Sequence, residues 1–329
     1  MHAPTSSTST STQWSSCLSS PAHRTDPSHL RRLIAEADAR LLVGDIGGMD
    51  DVVVALNELR SGVPRSEWQT IVAELVSAHP MRARLHEEPF TRRAFEKPRG
   101  YPGDAPLLDL IYGDAPYTGD LSPLGARLHA WAAESPASRS VRERRHILAS
   151  AIDRIASERT SPRIFSLACG HLREAQRSRA VRARAVESFV ALDQDAESLA
   201  VVEREQSAFN VVPAHASVRR FIAAPLAFGT FDLAYSAGLF DYLADNVAAA
   251  VTRALFQSLR PGGELLVANF APSLRDIGYL EAIMDWHLIY RNEEQVSRFT
   301  SSIPQDEIAE VSLTRDQCEN VVYLSVRKR

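Results

Sequence analysis

"FSLACGHLREA", residues 165–175, reads as a β-strand that runs into a turn and then a helical segment. Phe165, Leu167 and Ala168 make the apolar strand, and Gly170 lets the chain turn tightly and approach a ligand. A dinucleotide-binding turn carries two or three glycines, so that a pyrophosphate reaches the helix N-terminus. Here His171 and Leu172 stand where further glycines would be, so the turn is poorly suited to a pyrophosphate. One glycine also fits a plain strand–turn–helix that holds nothing. The surrounding chain has to decide.

From Arg163 onward, short β-rich runs alternate with helical ones. "RIFSLACG", "SFVALDQ", "NVVPAHA", "FDLAYSAG" and "GELLVANF" read as strands. "HLREAQRSRAVRA", "AESLAVVEREQ" and "YLADNVAAAVTRALFQSLR" read as helices, the last stopping at Pro261-Gly262-Gly263. "YLEAIMDWHLIYR" and "NEEQVSRF" read as helical, and "EIAEVSLTR" with "NVVYLSVRKR" as a closing antiparallel pair. This alternation predicts an α/β, Rossmann-like, mostly parallel sheet covered on both faces, with its last strand antiparallel.

Upstream the periodicity is helical. The expected organisation is a disordered Ser/Thr-rich tail over 1–27, a helical cap over 28–158 and the sheet domain over 159–329. Within the cap, Asp50 or Asp51 is the expected N-cap of "GGMDDVVVALNELRSG", and Ser66 opens an expected capping box.

The 329-residue chain is 45% hydrophobic, enough for a real core, and its formal charge of −4 argues against phosphate-driven nucleic-acid binding. Cys17, Cys169 and Cys318 show neither metal-ligand spacing nor a disulfide framework. No apolar run has the length of a membrane span, and the first residues lack a signal-like apolar core. The expected setting is a reducing cytoplasm, with no metal, no membrane and a small-molecule partner. Nothing in the sequence sets an oligomeric state.

In a doubly wound sheet the ligand lies at the carboxyl ends of the strands. That rule selects Ala168, Cys169 and Gly170, then Asp193 and Gln194, then Ala216 and Ser217. It also selects Tyr235, Ser236 and Gly238, and finally Asn269 and Phe270. Asp193 is placed to accept the two hydroxyls of a ribose. A Ser or Cys nucleophile is not supported, since no Gly-x-Ser-x-Gly elbow exists and Cys169 lies in the turn.

"FSLACG", "ALDQD" and "LRPGGELLV" resemble the class I S-adenosylmethionine-dependent methyltransferases over about 160–329, apart from the missing glycines. "EKPRGYPGDAPLLDLIYG", "SLACGHLREA", "FDLAYSAGLFDYL" and "NFAPSLRDIGYLEAIMDWHLIYR" resemble a narrower bacterial group. It includes hydroxy-fatty-acid methyl ester synthases and azetidine-2-carboxylate synthases. The resemblance implies S-adenosylmethionine as cosubstrate, with Gln194, Ala216 and Ser217 at the adenine. Tyr235, Phe240, Tyr242 and Phe270 would face the sulfonium, a cation suited to aromatic faces. "RGYPGD" becomes a lid, with Arg99 on the methionyl carboxylate, Asp104 on the amine, and Tyr101 and Gly103 over the cofactor. Trp286, Tyr290 and Arg291 would line a substrate pocket opposite. Tyr235, Asn269, Phe270 and Tyr101 are the catalytic candidates. Methyl transfer to a small acceptor such as a carboxylate, in secondary metabolism, stands first. Cyclisation of S-adenosylmethionine with release of methylthioadenosine stands second, and a cofactor-binding regulator without chemistry third.

Overall fold

A computed structural model describes residues 26–113 and 119–329. The expected tail, as far as residue 25, and Cys17 lie outside them. The cap holds α1 (Pro27–Leu41), α2 (Met49–Gly62), α3 (Arg65–Ile71), α4 (Pro80–Leu85), α5 (Pro89–Glu96), α6 (Ala105–Tyr112), α7 (Pro123–Ala133) and α8 (Pro136–Glu158). A π-helical stretch, Val72–Ser77, extends α3. Then come β1 (Arg163–Leu167), α9 (Arg179–Arg182), β2 (Ser188–Asp193), α10 (Ala196–Gln206), β3 (Val211–His215), α11 (Val218–Ala223) and β4 (Phe231–Ser236). The chain closes with α12 (Asp245–Gln257), β5 (Leu259–Phe270), α13 (Ile277–Ala282), α14 (Glu293–Ser297), β6 (Ile308–Arg315) and β7 (Val321–Lys328).

Cap helices start by one repeated device. A side chain of Asp26, His79, Glu88, Asp104, Ser122 or Ser135 accepts a first-turn N–H, with a proline at the first or second helical position. Proline has no N–H to satisfy there, and its fixed φ suits the first turn. Two expected caps are corrected. Gly48 caps α2, and Asp50 instead accepts from the Trp131 indole at 2.8 Å. Ser66 lies inside α3, which follows Pro64 without a side-chain cap.

The sheet runs β3-β2-β1-β4-β5-β7-β6. Among the described residues β7 alone is reversed in the sheet, pairing antiparallel with β5 on one side and β6 on the other. Strand order reverses between β1 and β4, so a crevice opens at their carboxyl ends. Along β2, Phe189 and Ala191 face a core shared with the cap, while Val190 and Leu192 face a second core under α11 and α12. The first core continues through Leu30 of α1, Leu56 of α2 and Ile164 of β1. Cap and sheet are therefore packed as one body. Among the described residues no helix is long and apolar enough to cross a membrane.

Three expected elements differ. "HLREAQRSRAVRA" is broken into a 3-10 turn, Ala175–Arg177, and the short α9. Asp153 of α8 causes the break, accepting from the Ser178 hydroxyl at 2.6 Å and from the Ala180 N–H at 2.9 Å. The helix in "YLEAIMDWHLIYR" stops at Ala282, and Asp285 is left-handed at φ 48°. The N–H groups of Ile289 and Arg291 bond instead to Asp241 O and Phe270 O, so this run lies across the sheet's end. The Pro-Gly-Gly turn falls inside β5, where the register against β4 shifts and Gly262 has φ 69°.

α13 docks on α2 through Gly278, where an added Cβ would lie 2.4 Å from the Leu56 carbonyl carbon. Gly278→Ala should therefore destabilise the protein by about 1–3 kcal/mol in urea unfolding, the cost of overpacking. A helical Gly→Ala exchange free of this contact stabilises. Unchanged or raised stability would show that the two helices separate freely.

Candidate functional site

The turn after β1 resolves the question of its missing glycines. Ala168, Gly170 and Leu172 have φ 55°, 53° and 52°, so alternate residues are left-handed although two carry a Cβ. Each such residue costs on the order of 1–2 kcal/mol, which the surroundings must offset. Cys169 N–H donates to Leu192 O at 3.1 Å and Gly170 N–H to Asp193 Oδ2 at 2.8 Å. A Cβ at Gly170 would come within 3.3 Å of the Ala105 Cβ, so the turn is pressed against the start of α6.

Asp193 ends β2 and is nearly buried. Its other oxygen, Oδ1, accepts from Asp195 N–H at 2.9 Å. Burial pushes its carboxyl up, and these N–H bonds pull it back only in part. Asp193 O accepts from Ala216 N–H at 3.0 Å, and Gln194 O bonds the His215 ring at 3.0 Å. Ser217 caps α11 beside them. The ends of β2 and β3 thus come together.

The 99–104 segment crosses these strand ends. Arg99 donates to Asp195 Oδ2 at 2.5 Å, to Ser198 Oγ at 2.9 Å and to Glu197 Oε2 at 2.9 Å. Asp104 caps α6 and forms a bidentate pair with Arg93, both contacts 2.7 Å. The structure therefore gives Arg99 and Asp104 to pairs within the protein, and neither lines the cavities described below. Tyr101 lies close enough to Asp193 and Asp195 that their charges, after burial, push its phenol up to about 12. Pro102 O accepts from the Tyr242 hydroxyl at 2.9 Å, which accepts from the Trp286 indole at 2.8 Å.

Two cavities lie beneath. The first, between the turn, α6 and α8, is lined by Asp109, Arg144, His171, Glu174 and Tyr235 as well as Ala168 and Cys169. The Tyr235 hydroxyl donates to Glu174 Oε1 at 2.6 Å. Burial raises both the Glu174 carboxyl and the Tyr235 phenol, and it holds the Cys169 thiol protonated. The second is walled by apolar and aromatic groups, among them Phe90, Trp131, Phe270, Tyr279, Met284 and Trp286. Leu108, Arg144 and Gly238 border both cavities. Arg144, nearly buried, donates to Ala237 O at 2.7 Å.

Several expected residues stand behind these walls. Phe240 packs on Phe299 in the opposite core, ring centroids 5.3 Å apart. Arg291 is 1% exposed and is spent on Asp245, on Phe240 O and Leu243 O, and on Asn269 Oδ1 at 2.8 Å. The Asn269 amide also holds Ile289 O at 2.9 Å. The Ser236 hydroxyl donates to Leu167 O at 2.8 Å, pinning β4 to β1. The Tyr290 hydroxyl has no hydrogen-bond partner among the described residues and its ring packs on the cap core. Glu174, Arg144, His171 and Asp241 were not read from the sequence. Glu174 and His171 sat in an expected helix, and Arg144 in a charge-rich run. Asp241 lay within a motif quoted only for its aromatics. Among the described residues one group, Glu143, Asp316 and Cys318, brings potential metal-ligand atoms within 4.8 Å. It lies at the β6–β7 turn, where Glu143 already accepts from Gln317 N–H.

Residues 166–267, from β1 into β5, match the family model described as a methyltransferase domain. The sheet domain has the class I methyltransferase fold. No curated protein matches its sequence. A solved structure of a possible exported protein from Bordetella parapertussis is 17% identical, covering 94% of this chain and 99% of its own at a TM-score of 0.56. It shares the fold of cap and sheet together. Magnesium protoporphyrin IX methyltransferase from Synechocystis, with bound SAH, is 13% identical over 67% of this chain and 92% of its own, TM-score 0.45. N-methyltransferase NodS from Bradyrhizobium japonicum is 14% identical over 57% and 87%, TM-score 0.41.

Two outcomes follow for this methyltransferase-fold site. A Cβ at Gly103 would sit 2.4 Å from the Trp286 ring and 2.7 Å from the Tyr242 hydroxyl. Gly103→Ala should unseat the 99–104 segment and speed its amide exchange roughly tenfold; unchanged exchange would mean that the rings yield instead. Asp276, on the wall of the apolar cavity, accepts from Ala137 N–H at 2.7 Å, and burial pushes its carboxyl up to about 6. The folded carboxyl holds its proton more tightly than the unfolded chain does. Its contribution is intact below the unfolded value near 3.8 and is lost as pH rises through about 6. Asp276→Asn should therefore raise stability above pH ~7 by on the order of 2–3 kcal/mol, with no gain near pH ~4, read from urea midpoints.

Proposed function

We propose that this enzyme binds S-adenosylmethionine across the ends of β1, β2 and β4 and transfers its methyl group to a small apolar acid. Arg144 at the seam between the two cavities carries this reading. The cosubstrate supplies an electrophilic methyl group on a sulfonium centre. The residues fit it: each Asp193 oxygen holds one backbone N–H and can accept again from a ribose hydroxyl, and Gly170 leaves the turn without a Cβ against α6. The aromatic cavity suits an apolar acceptor body. Among the described residues Arg144 is the single Arg, Lys or His on that cavity's wall and would draw a carboxylate to the seam. A carboxylate needs no base. The acids on that wall, Asp241 and Asp276, are pushed up to about 6 and already hold backbone N–H groups. Closing the 99–104 segment excludes water that would solvate the nucleophile.

The second reading is cyclisation, in which the cofactor's amine bonds to its γ-carbon as the carbon–sulfur bond breaks and methylthioadenosine leaves. The buried Glu174–Tyr235 pair favours it, since a raised carboxyl can take the amine's proton. It leaves the aromatic cavity without an occupant.

Mass spectrometry separates the two. With S-adenosylmethionine and a panel of apolar carboxylic acids, S-adenosylhomocysteine and a methyl ester should accumulate together. With S-adenosylmethionine alone, neither should form. Methylthioadenosine above background without any acceptor would replace the first reading by the second. Asp193→Ala should weaken S-adenosylhomocysteine binding about 10- to 100-fold by calorimetry, and equal affinity would remove Asp193 from the ribose.

A further inference from the structure

His171 stands in the turn where a glycine-rich loop carries no side chain, and its ring reaches the first cavity. Nδ1 lies 2.8 Å from Asp109 Oδ2. Asp109 is itself fixed by Arg173, whose Nε and terminal nitrogen donate to it at 2.7 and 2.6 Å. Arg173 is anchored in turn by Glu205. A carboxylate so placed accepts from Nδ1–H, so the neutral ring carries its proton there and its lone pair on Nε2. Nε2 is buried and has no hydrogen-bond partner among the described residues. Such an acceptor is costly to leave unpaired, and a donor arriving with a ligand would relieve it.

The cavity has two unlike walls. α8 supplies the cations Arg144 and Arg145, and the turn supplies the acceptors Glu174 and His171. An amino-acid zwitterion is complementary to that arrangement, carboxylate toward Arg145 of α8 and ammonium toward the turn. We propose that Nε2 of His171 accepts a hydrogen bond from the α-ammonium of the bound cofactor and so fixes its amino-acid end. This rests on the reading that the cavity takes S-adenosylmethionine.

The charged and titratable groups that line this cavity with the ring are Asp109 and Tyr112 on α6, Cys169, Arg173 and Glu174 on the turn, Arg144 and Arg145 on α8, and Tyr235 on β4. A glutamine at this position offers a neutral acceptor.

The test is calorimetry with S-adenosylhomocysteine and with methylthioadenosine, which lacks the amino-acid end. His171→Leu should lose about tenfold or more in affinity for S-adenosylhomocysteine while binding methylthioadenosine like the parent, which also shows that it is folded. His171→Gln, which keeps a neutral acceptor, should bind S-adenosylhomocysteine within about threefold of the parent. Equal affinity for S-adenosylhomocysteine in His171→Leu, or equal losses for both ligands, would overturn the proposal and leave His171 a structural residue. If the parent protein binds neither ligand, the cofactor reading itself fails, and the proposal with it.

Discussion

The Asp193 carboxylate is the junction of this site. One oxygen holds the N–H of Gly170 and the other the N–H of Asp195, so a single buried group sets the turn after β1 against the turn after β2. The first of these turns needs such support because Ala168 and Leu172 are left-handed without being glycines. Buried carboxylates are stable where backbone donors meet them, and here the donors belong to the loops that follow β1 and β2.

Asp195 passes the constraint to the cap. It caps α10 and accepts from Arg99, which ties the 99–104 segment to the sheet. The far end of the segment is held by Asp104 with Arg93 and by Tyr242 beneath Pro102. The cap is therefore half of the site. α6 and α8 form one wall of the polar cavity, and α2, α5 and α7 contribute Val53, Phe90 and Trp131 to the apolar one. A sheet domain alone would offer strand ends but no enclosed space.

Much of this was legible in the residues. The strand–helix alternation after Arg163, the antiparallel close, the Gly170 turn and the acid ending β2 all depend on short-range pattern, which survives without knowledge of contacts. The pairing of Arg99 is not legible in this way. A cation beside two glycines looks available to a ligand, and its partner Asp195 is 96 positions away. For Arg291 and Asn269 likewise, only the packed chain shows their polar atoms bonded to carbonyls of the 240–243 turn and residue 289. Arg144 was passed over because "VRERRHILAS" resembles a solvated helical face, although the α8 face that carries it is buried against the sheet.

The sequence by itself determined the class of fold and the strand ends where a ligand belongs, since hydrophobic period and turn residues act over a few positions. It left open which polar side chains face the cavity and which serve the scaffold. Only the tertiary structure decided that, pairing Arg99 with Asp195 and leaving Nε2 of His171 without a partner among the described residues. The physical reason is that a charged group's role depends on whether a partner from a distant segment reaches it first, and local sequence does not encode that distance.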